Sequence, residues 1–179
     1  SSSKRKAMIT IIRPEREADH IQVSTLLKEA FGQENEARLV AQLRTGAGYI
    51  PALSLVAILN EKVAGHIMLN RIAIVNGDAR YDALALAPMA VHPSWQKQGI
   101  GARLITEALR RAREMGFTAV IVLGHEHYYP KFGFLPASRF GIRAPIDVPD
   151  NVFMAKELIP GSLAHVSGVV EYPVEFSTI

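Results

Sequence analysis

Val91-His92-Pro93-Ser94-Trp95-Gln96-Lys97-Gln98-Gly99-Ile100-Gly101-Ala102 joins an apolar run to an amphipathic one without any further turn between them. The run before it, residues 83–91, reads as a strand. After it, Ile100, Leu104, Ile105, Ala108, Leu109 and Ala112 recur at helical spacing. A strand that feeds a glycine loop opening a helix builds an anion site. The first backbone N–H groups of the helix have no partner within it, and its dipole adds partial positive charge there. Gly99 and Gly101 let a bulky phosphate approach the backbone without meeting a Cβ. Gln96 either braces the loop or donates to the ligand. The loop is expected to hold a diphosphate, and the remaining question is whose.

Working outward, Pro88 interrupts the strand that leads into the loop. A proline cannot donate to a sheet ladder, so it implies a bulge or an edge, and frees backbone groups close to the loop. Upstream, Asn76-Gly77 marks a hairpin between residues 63–75 and this strand. Another apolar strand is expected at 53–59, and a first one at 8–13, where Ile9, Thr10, Ile11 and Ile12 precede Pro14. Between them lie two helices. The first spans 15–31, with Val23, Leu26, Leu27, Ala30 and Phe31 inward and Gly32 as its stop. The second spans 34–44, with Leu39, Val40 and Leu43 inward. Downstream, Arg103–Glu107 and Glu107–Arg111 stand at pairing distance on the helix after the loop, and Gly116 ends it. Residues 119–123 read as a buried strand parallel to the one before the loop. The stretch 124–134 is expected to be one short helix and a turn, and 152–158 and 167–172 two closing strands. With no internal repeat or linker, residues 8–179 are expected to form a single α/β domain with a mixed sheet, and residues 1–7 a loose tail.

Composition removes several classes. In 179 residues, 49% are hydrophobic and 21% charged, which suits a globular domain with a substantial core and not a disordered chain. A net charge of +3 is too small to argue for nucleic acid. No apolar run reaches the roughly 20 residues of a membrane helix, so neither nucleic acid nor membrane is an expected partner. The absence of cysteine rules out disulfides and thiolate chemistry and agrees with a reducing cytoplasm.

Three loop chemistries compete. A nucleotide-triphosphatase loop needs Lys and Ser/Thr after its last glycine, but Ala102 and Arg103 follow Gly101. A dinucleotide loop needs a third glycine where Leu104 stands, and belongs near a first strand. The third fits: Gln96-x-x-Gly99-x-Gly101, preceded by Val91-x-Pro93, resembles the acyl-CoA pyrophosphate loop of the GNAT N-acetyltransferase superfamily. The element order is similar over nearly the whole chain. Tyr129-Pro130-Lys131-Phe132-Gly133-Phe134 also resembles the superfamily's Tyr-x-x-x-Gly-Phe segment. The runs 86–91 and 123–129 look like a bacterial subgroup of predicted acetyltransferases.

The resemblance implies a mostly antiparallel sheet with a central splay, flanked by helices. It implies acetyl-CoA as co-substrate, with no metal, and an amine of a small molecule or peptide as acceptor, attacking directly; a homodimer is compatible with it. Backbone groups of Met89, Ala90 and Val91 would pair with the pantetheine arm and polarise the thioester carbonyl. Gln96, Lys97, Gln98, Gly99, Ile100, Gly101 and Ala102 would form the diphosphate loop. Tyr129 would give a proton to the departing thiolate, against the plain alternative that it only packs in the core. Tyr128 is the rival tyrosine, expected to point elsewhere. Lys97 and Arg103 are either phosphate contacts or solvated. His125, Glu126 and His127 alternate and lack a metal-ligand pattern. The general base stays open among Glu34, Glu36, His92, Glu126 and a water chain. A non-catalytic acyl-CoA sensor is the competing function, motivated by the missing base.

Overall fold

Two long strands, β3 (Lys62–Asn76) and β4 (Ala79–Val91), form the hairpin on which the other elements are laid in this computed structural model, which describes residues 10–177. Outside β3 run β2 (Ser54–Leu59) and then β1 (Thr10–Pro14), all antiparallel. Beside β4 runs β5 (Ala119–Leu123), in parallel, as the crossover through the helix predicts. The short β6 (Leu135–Pro136) and β7 (Ile142–Arg143) precede β8 (Phe153–Glu157) and β9 (Gly168–Glu171). The sheet order is β1-β2-β3-β4-β5-β8-β6, and β9 pairs with both β7 and the far end of β3. This is the mixed, mostly antiparallel class expected. Met8, Ile9 and the tail 1–7 lie outside the described residues.

Among the described residues, three α-helices flank the sheet: α1 (His20–Phe31), α2 (Asn35–Leu43) and α3 (Ile100–Glu114). Strand alternation decides which face each covers. Leu55, Ala57 and Leu59 of β2 and Ile67 and Leu69 of β3 meet the predicted stripe of α3, Ile100, Leu104, Ile105, Ala108, Leu109 and Ala112. Val56, Met68 and Ala90 point the other way, against Val23, Leu26 and Leu27 of α1 and Leu39, Val40 and Leu43 of α2. Gly65 lets α3 settle so low: a Cβ there would stand 2.9 Å from Leu104 and 3.2 Å from Ile100. The far half of that second face, with Ile72, Ile74, Ala83 and Ala85, is covered by the C-terminal third of the chain.

Two local expectations change. The first helix starts at His20 rather than at residue 15, because Asp19 gathers the chain into a separate 3-10 turn. Its carboxylate accepts from the Arg13 guanidinium at 2.7 and 3.0 Å and from the Arg16 N–H at 2.7 Å. On α3, Glu107 pairs with Arg110 and with Arg111 (2.9 Å). Arg103 instead donates to the Thr10 carbonyl at 3.2 Å, tying α3 to β1.

A buried polar cluster sits on the α1/α2 face. Glu15, just past β1, has a side chain with no exposed surface. Its carboxylate accepts from Arg44 (2.7 and 3.3 Å), from the Tyr49 hydroxyl (3.1 Å) and from the Ser54 hydroxyl. Ser54 Oγ lies 3.2 Å from Nε2 of His66, itself fully buried on β3. Burial alone would raise the Glu15 pKa. The hydrogen bonds from Arg44 and Ser54 and the neighbouring His66 outweigh it, so the carboxyl lies below its ordinary value. Burial pushes the His66 imidazole down from 6.5 to about 4, with Glu15 opposing and Arg44 and His20 adding to the drop.

This cluster predicts acid sensitivity with a defined sign. The unfolded chain takes up a proton on His66 as pH falls through 6.5, whereas the folded chain keeps it neutral until about 4. The stability is therefore intact above 6.5 and lost progressively between 6.5 and 4, by about 3 kcal/mol for this residue. Glu15, with its lowered pKa, subtracts in the same direction at still lower pH. Urea unfolding at a series of pH values measures the slope, and His66→Gln should make it shallower over that interval. An unchanged slope in the variant rejects the buried neutral imidazole.

Candidate active site

The parting of β4 from β5 creates the site. The two strands pair only at Leu84↔Val120 and Ala85↔Ile121, although β4 continues to Val91 and β5 to Leu123. The register between β3 and β4 shifts just beyond that point: Ile67 faces Met89 while Leu69 faces Leu86, so Ala87 and Pro88 together oppose Met68. This is the bulge that Pro88 implied, and the sheet opens beside it.

Ladder phase then decides which backbone groups meet the opening. The His92 N–H donates to the Ala64 carbonyl at 2.8 Å, and Ala90 stands opposite His66. Hydrogen-bonded pairs alternate along an antiparallel ladder. Ala90, in phase with His92, turns its N–H and C=O toward β3, whereas Met89 and Val91 turn theirs to the open edge. The trio grouped in the sequence thus divides: Ala90 lends surface to the cavity, and its two neighbours carry the outward-facing backbone.

The loop follows at once. Pro93–Trp95 make a 3-10 turn, Lys97 has a φ of +62° and Gly99 one of +86°, and α3 starts at Ile100. A non-glycine residue at positive φ is uncommon, and such conformations gather at functional loops. Gln96 resolves its two readings as a brace: Nε2 donates to the Val91 carbonyl at 3.1 Å. Gly99 and Gly101 serve different ends. Gly99 supplies the left-handed turn, and nothing lies within 4 Å of a Cβ built on it. Gly101 is helical and supplies space: a Cβ there would fall 3.1 Å from the Tyr128 hydroxyl oxygen and 3.6 Å from the Met89 sulfur. The first-turn amides of α3 thus border a groove instead of a side chain.

Loop and open strand share one cavity of about 410 Å³. Met89, Ala90, Val91, Trp95, Gln96, Lys97, Gly99, Ile100, Gly101 and Ala102 line it, with Ala30 and Phe31 from the end of α1 opposite and Tyr128 at one side. Among the residues expected here, Gln98 and Tyr129 are not part of that lining. Tyr129 is buried in the α3-side core with its ring against Gly124, at the end of β5. A Cβ on Gly124 would come within 2.5 Å of the ring. Phe134 and Tyr128 pack edge-on against it at 5.7 and 5.3 Å. Burial, helped by Tyr128, pushes the Tyr129 hydroxyl up to about 12.

Tyr128 diverges from Tyr129, as expected of neighbours in a tight turn, but it diverges into the groove. Both amides turn on one acceptor, the His125 carbonyl, at 3.1 and 3.3 Å. Sequence spacing offered no signal for this direction.

The base candidates are engaged elsewhere. Nδ1 of His92 accepts the Ser94 N–H at 3.1 Å, and its Nε2 lies 2.6 Å from Glu29 of α1, so neither nitrogen is left over. Glu34 stands between Lys28 and Arg38, and Glu36 accepts from Gln33. Glu126 accepts from Asn151 and lies 3.4 Å from His127. What His92 does provide is a tie between α1 and the loop on either side of the groove.

Comparison with known proteins agrees with this fold. The Acetyltransferase (GNAT) family matches residues 19–134. Two relatives from Escherichia coli K12 are uncharacterized N-acetyltransferases. YjhQ is 43% identical over 124 residues, 68% of each chain. YhbS is 31% identical over 168 residues, 93% of this chain and 98% of its own. The crystal structure of E. coli YhbS in complex with CoA superposes with a TM-score of 0.90 at 29% identity, covering 97% of this chain and 94% of that one. A GNAT family acetyltransferase from Brucella melitensis in complex with acetyl-CoA gives 0.77 at 28% identity, over 94% and 98%.

Proposed function

The chain belongs to the GNAT acetyltransferase family, with acetyl-CoA as its co-substrate, and from that premise we propose that it moves the acetyl group to the amine of a small molecule or peptide by direct attack. The observation that carries this reading is the single groove into which both the open edge of β4 and the first turn of α3 face. In it the diphosphate lies on the amides of 98–102, and the pantetheine arm extends β4 as an added strand through Met89 and Val91. A backbone N–H at this edge polarises the thioester carbonyl and holds the oxyanion, typically a large contribution to rate. The amine nitrogen, having lost its proton to water, attacks the carbonyl carbon. The C–S bond then breaks, and the electron pair leaves on sulfur, toward which the Tyr129 hydroxyl donates. No covalent enzyme intermediate is needed. Residues 8–179 act as one domain in this reading.

The absence of His92, Glu34, Glu36 and Glu126 from the groove lining favours water as the proton's first acceptor. It is also the observation that a pure acyl-CoA sensor would explain. A screen of amines and peptide N-termini with a free-thiol readout separates the two. Acceptor-dependent release of CoA establishes transfer, and its absence across the panel, with acetyl-CoA bound, leaves the sensor.

The loop has its own test. Acetyl-CoA at about 100 times its Kd should add about 2.7 kcal/mol to the stability of the folded chain and raise its Tm. Gly101→Leu fills the space beside Tyr128 and Met89 and should weaken acetyl-CoA at least about tenfold, a loss of about 1.4 kcal/mol of binding. Its Tm without ligand should stay near that of the parent. A variant that keeps the full ligand-induced shift rejects the diphosphate assignment.

A further inference from the structure

Resting on the acyl-CoA reading above, we propose that Tyr128 clamps the pantetheine arm against β4, so that the two adjacent tyrosines divide the work: Tyr128 governs affinity for acetyl-CoA and Tyr129 governs departure of sulfur. The geometry comes from three sides. The Tyr128 hydroxyl stands over Gly101, where α3 begins, and the Met89 side chain, where the open edge of β4 begins, approaches the same point. It therefore sits between the loop that takes the diphosphate and the splay where the thioester lies, a stretch that only the arm of the ligand spans. Tyr129, by contrast, is buried behind the groove wall against Gly124, just past the end of β5 on the stretch where the two strands have parted.

The ring is held for such a role. Tyr129 and Phe132 meet it edge-on at 5.3 Å each, and the Lys131 ammonium stands 5.3 Å from its centroid. It is half-buried, lining the 410 Å³ groove and also a second cavity of about 520 Å³ beyond, with Gly124, Lys131 and Val152. The ring is thus the wall between two spaces, and truncating it opens the groove sideways. An aromatic ring fixed by packing loses little freedom when a flexible arm settles on it, so its contact area contributes to affinity nearly in full. The hydroxyl, with no hydrogen-bond partner among the described residues, is available to an amide carbonyl of the arm.

The experiment compares Tyr128→Ala, Tyr128→Phe and Tyr129→Phe by calorimetry and steady-state kinetics, with two probes: acetyl-CoA, and 3′,5′-ADP, which has the nucleotide but no arm. Tyr128→Ala should weaken acetyl-CoA about 30-fold and Tyr128→Phe about fivefold. Both should leave 3′,5′-ADP affinity unchanged, and Tyr128→Phe, which keeps the ring against Tyr129, should hold kcat at saturation within about threefold. Tyr129→Phe should show the opposite split. Equal weakening of both probes by Tyr128→Ala would overturn the clamp, because the ring would then act on the nucleotide end. So would a fall in kcat at unchanged acetyl-CoA affinity, which would make Tyr128 the sulfur donor. If the parent chain itself does not bind acetyl-CoA, the acyl-CoA reading fails, and that result is visible before any variant is made.

Discussion

Tyr129→Phe is expected to lower kcat about 100-fold while leaving the affinity for acetyl-CoA within twofold. The phenyl ring keeps the packing against Gly124, Phe134 and Tyr128, so only the hydroxyl is removed. General acid groups contribute about 10²–10⁴-fold, and the environment of this one argues for the low end of that range. Its pKa is pushed up to about 12 by burial, whereas a free thiol lies near 8.5. Complete proton transfer to the leaving thiolate is thus uphill by a few pKa units. The hydroxyl therefore serves as a hydrogen-bond donor that stabilises negative charge on sulfur as the C–S bond breaks, and solvent completes the protonation. Two consequences follow. The hydroxyl stays protonated throughout an ordinary assay range, so the pH–rate profiles of parent and variant should run parallel from pH 6 to 9. A variant with kcat within twofold of the parent would remove Tyr129 from the chemistry.

The loop and its neighbours were legible because their signals are local. The stripe from Ile100 to Ala112 predicts which side of α3 is buried, Asn76-Gly77 predicts the hairpin, and Pro88 predicts the bulge, each from a few adjacent residues. The two-residue strands β6 and β7 have no period to read. What the sequence left open depends on register. That Ala90 faces β3 while Met89 and Val91 face the groove follows from the His92 hydrogen bond to Ala64, which no spacing announces. The direction of Tyr128 follows from a turn closed on the His125 carbonyl. His92 and Glu29, far apart in sequence, meet only because α1 ends beside the loop. The acid cluster is the largest omission. Glu15 and Ser54 are 39 positions apart and Glu15 and Arg44 are 29 apart, and Glu15 read simply as the first residue of a helix.

That cluster gives the largest expected effect on stability: Glu15→Ala should destabilise the fold by about 3–5 kcal/mol. A buried ion pair adds little net stability when whole, because desolvation cancels much of the attraction. Removing one partner is costly, since the other remains buried and unpaired. Here the remaining partner is the Arg44 guanidinium, whose side chain is only 14% exposed. The hydroxyls of Tyr49 and Ser54 lose their acceptor as well. Against a total of about 5–15 kcal/mol for a domain, the loss brings the chain close to unfolding. Glu15→Gln separates charge from shape, because its amide oxygen still accepts from Ser54 and Tyr49 while the charge facing Arg44 is gone. It should fall between the parent and Glu15→Ala in urea midpoint, and still bind acetyl-CoA, since the groove lies across β4 from this cluster. A Glu15→Ala loss below about 1 kcal/mol would mean that water replaces the carboxylate at little cost, and that the ends of β1 and α2 are held by apolar packing alone.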